Sequence, residues 1–202
     1  MKPTEAYAEL RRHDRPIFTT REAAALWRCG QTSASRRLGR LEEAGLVRRI
    51  QRGLWALDPE IEPRVVGPYL TAPLPSYVSL FSALAEHGMI EQIPRQISLI
   101  SLARPRRILT SLGVYVVHQL APELFGGFEG SDRSGYLARP EKALFDLVYI
   151  RAAAGSRAQP PELSLPAGFD RAELSRWSER IESQRLRTLV ARRLRELLRA
   201  AG

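Results

Sequence analysis

Two groups of residues in this 202-residue chain have types and spacings that could do chemistry. One is a run of arginines, Arg36, Arg37, Arg40, Arg48, Arg49 and Arg52, with Ser33 just before it. Guanidinium groups bind guanine O6 and N7 bidentately and neutralise phosphates, so such a run suits double-stranded DNA. The other is a set of possible acid–base groups or metal ligands, His87, His118, Asp132, Glu141 and Asp146. None of these recurs at a diagnostic spacing. There is no HExxH, P-loop, Gly-x-Ser-x-Gly or dinucleotide fingerprint, and the two histidines fall in different predicted elements. Glu141 at a helix start and the i, i+4 pair Lys142 and Asp146 have local explanations, so neither an enzyme nor a cofactor is expected. Cys29 is the only cysteine, which excludes a disulfide framework and a thiolate metal cluster and suits a small buried turn residue.

The elements that must position the arginines are legible in order. Thr19 and Glu22 have the spacing of a capping box, which starts a helix carrying Ala23 to Trp27. Arg28 to Gln31 make a short turn through Gly30. A second helix is expected after Thr32 as its cap, with Ala34, Leu38 and Leu41 at i, i+4 and i+7 facing a core. Its opposite face carries Ser33, Arg36, Arg40 and Glu43, with Arg37 on the flank, and Gly45 ends it. LVRRI and LWAL then flank Gln51-Arg52-Gly53 as a hairpin with Arg48, Arg49 and Arg52 around its tip. Helix, turn, basic helix and basic hairpin in this order predict a DNA-binding winged helix-turn-helix. Arg36 and Arg40 would read bases in the major groove while the wing arginines lie along phosphates. A helical hairpin with a merely solvated arginine face is the bland alternative, and the agreement of successive signals favours DNA.

The formal charge is +9, with thirteen basic against nine acidic side chains over residues 1–66, seven against seven over 67–150, and eleven against six over 151–202. The basic excess therefore sits at both ends, and a neutral middle argues against nucleic acid wrapped round the whole protein. Every basic residue except Lys2 and Lys142 is arginine, which a GC-rich genome explains as well as selection for bidentate contacts does. Hydrophobic residues make up 44%, enough for a buried core in one domain or two small ones. No basic-then-apolar leader opens the chain and no apolar run approaches the ~20 residues of a membrane span, so a cytoplasmic protein with no membrane partner is expected.

An opening helix over Lys2 to Asp14 should complete a three-helix core with Ile17 and Trp55. Prolines at 59, 63, 68, 73 and 75 mark a linker or wrapping segment, with a boundary near Arg64 between residues 1–66 and 67–202. Ser76 is placed to cap a helix through Val78, Leu80, Phe81, Leu84 and Ala85, ended by Gly88, with His87 as a dipole partner. Runs from Ile97, Arg106 and Val114 read as strands of a small antiparallel sheet, residues 122–134 as an irregular loop, and Gly135 to Ala138 as a return to the sheet. Pro140 opens a helix with the stripe Leu144, Leu147 and Val148. A loop follows over 152–168, and Asp170 and Glu173 then repeat the capping spacing ahead of Leu174, Trp177 and Ile181. The last helix has an apolar side from Leu186 to Leu198 and six arginines around the rest, either a solvated face or a second surface for nucleic acid or an acidic partner. The expected class is α+β, with a small antiparallel sheet and terminal helices after the winged segment.

Three stretches are more specific. RRIQRGLWAL ends in Gly53-Leu54-Trp55; YVSLFSALAEHGMIEQIP carries Ser79, Ser82, Ala83, Leu84, His87 and Gly88; ARPEKALFDLVYI carries Pro140, Glu141, Lys142, Ala143, Leu144 and Asp146. In these the chain resembles the AbiEi family, type IV antitoxins of the abortive-infection kind, over roughly residues 15 to 150. That family's wing closes on a Gly-aromatic pair, here with one residue inserted. Its first C-terminal motif has the form Ser-x-x-Ser-Ala-Leu followed by His-Gly; its second is Pro-Glu-Lys-Ala-Leu-x-Asp, with Arg139 here where Ser or Thr is common. The resemblance implies a winged-helix autorepressor domain over 1–66 that binds operator DNA. It implies a C-terminal antitoxin domain over 67–202, with Ser79, His87, Glu141, Lys142 and Asp146 in its motif, that neutralises a cognate nucleotidyltransferase-like toxin without an obligatory stable complex. The rival reading is a plain winged-helix transcription regulator whose C-terminal domain senses a ligand or dimerises, and the sequence features are the same under both.

Overall fold

The computed structural model describes residues 3–156 and 162–201. Helix α1 spans Pro3–Arg12, and strand β1 (Ile17–Thr19) leads directly into α2 (Thr20–Leu26). The capping box is complete: Thr19 Oγ1 accepts from the Glu22 N–H, and Glu22 Oε2 accepts from the Thr19 N–H. After a turn in which Arg28 takes φ +48°, α3 spans Gln31–Glu43. Its N-cap is Gly30, so the expected Thr32 cap is displaced by two residues and Thr32 stands exposed in the first turn. Gly45 at φ +69° ends α3 as expected, letting the Leu46 N–H reach back to Leu41 O at 2.9 Å. Strands β2 (Arg48–Gln51) and β3 (Leu54–Ala56) form the hairpin, and β1 joins it in the antiparallel order β1-β3-β2.

Side-chain alternation in this small sheet decides what packs on it. Phe18 and Trp55 face α1–α3, in a core with Leu10, Ala34, Leu38 and Leu41. Ile17, Ile50, Leu54 and Ala56 belong to a second cluster with Val65, Val66 and Leu70 and with Leu99, Tyr115 and Val117 of a larger sheet. The small sheet is therefore covered on both faces. The proline-rich stretch expected as a linker contains helix α4 (Pro63–Thr71), with Pro63 in its first turn, where a missing N–H costs nothing, and Pro68 inside it. A Cβ at Gly67 would meet Leu99 Cδ2 at 3.0 Å, so glycine lets α4 lie close on the sheet. The boundary expected after residue 66 falls inside α4, and one apolar cluster crosses it.

The larger sheet is built from β4 (Ser76–Val78), β5 (Ile97–Ser101), β6 (Arg106–Thr110), β7 (Gly113–Gln119), β8 (Phe128–Ser131) and β9 (Gly135–Ala138) in the order β6-β7-β5-β4-β9-β8. It is six-stranded and mixed, with β4–β9 and β5–β7 parallel, where a small antiparallel sheet was expected. Two of the strands were not expected, and β5 and β7, both expected, pair in parallel with β7 lying between β5 and β6. Ser76 starts β4 instead of capping a helix, because SYV is buried on both faces and shows no alternation. Phe128–Ser131 forms β8 within the expected irregular loop, after a 3-10 turn over Pro122–Leu124. Helix α5 (Leu80–Glu86) follows β4, and α6 (Pro140–Ala153), α7 (Arg171–Glu179) and α8 (Gln184–Ala200) follow the sheet. They cover its other face around Tyr77, Ile100, Leu144, Phe145, Val190 and Leu194. Residues 157–161 of the expected loop lie outside the described residues; beyond them the Ser164 N–H donates to Met89 O at 2.9 Å. Among the described residues no helix is long and apolar enough to cross a membrane.

A fragment beginning at Gly67 loses Ile17, Ile50, Leu54 and Ala56 from the shared cluster. Each large aliphatic side chain buried there is worth about 1.5–3 kcal/mol, against a total stability of about 5–15 kcal/mol. Residues 67–202 alone should show no cooperative melt by circular dichroism, while the full chain melts sharply; a sharp melt of the fragment would mean that its core is independent.

Candidate functional site

Helix α3 buries Ala34, Leu38 and Leu41, which turns Thr32, Arg36 and Arg40, at i, i+4 and i+8, to the opposite side. Arg36 and Arg40 are exposed and make no ion pair with any described residue. Thr32 was missed as a member of this column because its hydroxyl was assigned to the cap. Ser33 is half-buried on the flank. Arg37 is half-buried too, with its guanidinium carbon 5.9 Å from the Trp27 ring centre and Nη1 buried without a hydrogen-bond partner. That contact draws Arg37 toward the turn between α2 and α3 and away from the Arg36–Arg40 column.

The hairpin turn is Arg52-Gly53, and Gly53 has φ +81°, a conformation that favours glycine. Arg52 is exposed at the tip. Arg49 is also exposed, its guanidinium 5.7 Å from the Trp55 ring centre and its backbone N–H donated to Glu42 Oε1 at 3.0 Å. Arg48, expected beside them at phosphates, is committed elsewhere. Its Nη1 donates to Pro59 O at 3.1 Å, its Nη2 to Ser111 O at 3.0 Å and its Nε to Ser111 Oγ at 3.4 Å. The Ser111 N–H in turn donates to Ile50 O at 2.9 Å. Arg48 thus clamps the hairpin to the β6–β7 turn. Arg48 and Ile50 are two apart on a strand and share a face, so the apolar Ile50 marks that face as inward, but nothing near them in the sequence marks Ser111 as the partner.

Four residues of the C-terminal motif, Ser79, Glu141, Lys142 and Asp146, are buried, and His87 is half-buried. Ser79, Lys142 and Asp146 are 0% exposed. Strand β4 and its end supply Tyr77 and Ser79; successive turns of α6 supply Lys142 and Asp146. Asp146 Oδ2 accepts from Ser79 Oγ at 2.7 Å and from Tyr77 OH at 3.1 Å, and Oδ1 accepts from Lys142 Nζ. The Lys142 ammonium lies 4.7 Å from the Trp177 ring centre, 5.0 Å from Phe145 and 5.6 Å from Tyr77. Desolvation pushes the Asp146 carboxyl above and the Lys142 ammonium below their ordinary ranges, and their ion pair acts against both shifts. Burial, with the Asp146 charge beside it, pushes the Tyr77 phenol up, so Tyr77 stays a donor.

Further bonds tie this centre to its surroundings. Glu141 Oε1 accepts from the Asp170 N–H at 2.7 Å, and Asp170 caps α7 through the Ala172 N–H. Glu173 does not return the expected reciprocal cap; its Oε1 accepts from Arg139 at 2.6 Å and from Trp177 Nε1 at 3.2 Å. His87 ends α5 with Nε2 2.7 Å from Ala138 O, which joins that helix end to β9. A Cβ at Gly127, where φ is +69°, would come 2.7 Å from Trp177 and 3.0 Å from Lys142, so only glycine closes over the pair without a shift. Sequence reasoning missed Tyr77, Phe125, Phe128 and Trp177 as partners here; Tyr77 stacks on Phe128 at 4.6 Å and meets Phe125 at 5.1 Å with the rings tilted by 60°.

The other acid–base candidates stay apart. Asp132 is exposed and accepts from Tyr136 OH at 2.9 Å. His118 is half-buried on β7, where desolvation holds its imidazole below the ordinary range. Among the described residues no three His, Cys, Asp or Glu side chains are grouped to hold a metal.

No protein-family model and no curated protein matches the chain. What the site can do is therefore argued from its own geometry. The exposed guanidiniums of α3 and the hairpin can meet an anionic polymer, and the buried centre can fasten β4, α6 and α7 together.

Removing Asp146 leaves an unpaired ammonium in an apolar box. Asp146→Ala should cost about 3–5 kcal/mol in urea unfolding, and the joint change Lys142→Met with Asp146→Leu should recover most of it. Equal losses in the two variants would show that the charge pair is not what matters. In salt titrations of DNA binding, Arg52→Ala should weaken all sequences alike and make the slope shallower by about one. Arg48→Ala should instead lower the unfolding midpoint and leave that slope in place, and the reverse pattern would exchange the two roles.

Proposed function

We propose that this protein is a DNA-binding autorepressor that also serves as the antitoxin of a type IV toxin–antitoxin pair, opposing a nucleotidyltransferase-like toxin. The DNA half of the reading is carried by one observation: Thr32, Arg36 and Arg40 form an exposed column on a helix whose other side is buried, and a basic hairpin with a two-residue turn follows it. A major groove admits one helix, whose arginines can take guanine O6 and N7, while Arg49 and Arg52 lie along flanking phosphates. The order of α1–α3 and β1–β3 supports a winged helix-turn-helix with α3 as the reading helix. The antitoxin half is supported by the resemblance at Gly53-Leu54-Trp55, Ser79 to Gly88 and Pro140 to Asp146. On this reading the protein works in the cytoplasm on operator DNA, needs no cofactor and catalyses no reaction.

One observation suits a second reading as well as the first. The motif residues Ser79, Lys142 and Asp146 are wholly buried and hold the fold together, a service that a plain regulator with a sensing or dimerising C-terminal half needs equally. The two readings part at the toxin. Arg36→Ala and Arg40→Ala should each cost about 1–3 kcal/mol at the operator and relax base preference. The full-length double variant should still rescue growth when an adjacent nucleotidyltransferase-like reading frame is expressed. Unchanged operator binding removes the docking scheme; absence of such a reading frame, or of rescue by the folded wild-type chain, leaves the plain regulator.

A further inference from the structure

A cleft of about 380 Å³ opens between the end of α1, β1 and α2. Leu10, Phe18, Ala23 and Leu26 form its apolar lining, and Arg15 and Glu22 stand among its polar residues. This is the size and make-up of a small-molecule site, mostly apolar with a few converging polar groups. Arg15 Nη1 donates to Glu22 Oε1 at 2.9 Å, so a cation and an anion sit side by side at an apolar lining. Both keep spare capacity. A guanidinium has five N–H donors, and one is spent on Glu22; a carboxylate has about four lone-pair sites, and the Thr19 N–H, the Thr19 hydroxyl and Arg15 take three. Partial burial raises the Glu22 carboxyl, but the Thr19 bonds and the Arg15 charge outweigh it and hold the group ionised below its usual range.

We propose that this cleft binds a free α-amino acid with a bulky apolar side chain, its carboxylate on Arg15, its ammonium on Glu22 and its side chain on Leu10 and Phe18. The pair sums to zero charge, so a simple anion gains at Arg15 what it loses at Glu22, and a simple cation the converse; a zwitterion gains at both. Its two charged groups stand on one carbon, as close together as the paired Arg15 and Glu22 require. The occupant touches α2, not the Thr32–Arg36–Arg40 column, and its binding does not depend on the DNA reading.

Calorimetric titration of the full-length protein tests this, with L-leucine, L-phenylalanine and L-tryptophan as probes, each against its counterpart lacking the ammonium and its counterpart lacking the carboxylate. At least one amino acid should bind saturably. Loss of either charged group should weaken it by about tenfold or more, the worth of one charge-assisted hydrogen bond. Arg15→Gln should weaken the amino acid equally. Ala25→Phe, at an exposed position lining the cleft, should block binding while the unfolding midpoint holds. No saturable heat with any probe at millimolar concentration, counterparts that bind as well as the amino acid, or binding unaltered by Ala25→Phe would each overturn the proposal.

Discussion

Lys142 and Asp146 lie one turn apart on α6 with no contact with water, and the packing around that helix is arranged to make two buried charges tolerable. Stripping the hydration from either ion costs several kcal/mol, which their mutual attraction offsets only when the remaining hydrogen-bonding capacity is met. Ser79 and Tyr77 meet it for the carboxylate, and the faces of Trp177, Phe145 and Tyr77 enclose the ammonium. The three come from β4, α6 and α7, so the pair is stable only when all of these are in place. That requirement selects one arrangement of the C-terminal half over any looser packing of the same apolar residues. It also explains a local strain. Leu80 has φ +53°, an uncommon conformation for a side chain of its size, and it directly follows the Ser79 that must reach Asp146.

A second constraint joins the two halves. The small sheet is packed on both faces, and three polar contacts reinforce the apolar one: Arg48 on Ser111 and Pro59, the Ser111 N–H on Ile50 O, and Tyr115 OH on Pro63 O at 2.8 Å. Asp14 at the end of α1 also pairs with Arg133 beyond β8. The hairpin that carries Arg49 and Arg52 is thus oriented by the C-terminal half. A rearrangement of the β6–β7 turn would move the hairpin relative to α3, since Ile50 O and the Arg48 guanidinium both follow Ser111.

What the sequence made legible, and what it did not, follows from how far each signal reaches. Capping, turn and helix-phase signals act within a few residues, and the Thr19–Glu22 box, Gly45, Gly53 and the Ala34–Leu38–Leu41 stripe stand where those signals placed them. Strand β4 was unreadable because three residues buried on both faces show no period, and β8 because Phe125 to Gly130 is rich in glycine. Helix α4 hid behind Pro63 and Pro68, since prolines mark a break unless tertiary packing holds the helix. At the candidate site Arg36, Arg40, Arg49 and Arg52 were readable as exposed, whereas the fate of Arg48 depends on Ser111, sixty-three positions away. The i, i+4 pair Lys142–Asp146 was readable as a pair, but its burial was not, because Tyr77 and Trp177, both distant in sequence, complete the enclosure that Phe145 begins.

This separation bears on the antitoxin reading proposed above. Most residues that carry it, Ser79, Ala83, Leu84, Glu141, Lys142, Ala143, Leu144 and Asp146, are buried, and His87 is spent on a backbone carbonyl. Side chains with such interlocking demands are those a fold keeps, since changing one leaves a buried partner unsatisfied at a cost of a few kcal/mol. They hold the C-terminal architecture of this chain together. Function has to be argued from what faces outward, because fold and function are separable. What faces outward is the Thr32–Arg36–Arg40 column with its basic hairpin, the Arg15–Glu22 cleft beside α2, and the exposed arginines of α8. The first two lie on or beside the α2–turn–α3 unit, so in this protein the outward chemistry with the most specific geometry is concentrated in the N-terminal half, while the C-terminal half provides the rigid body that holds the hairpin in place.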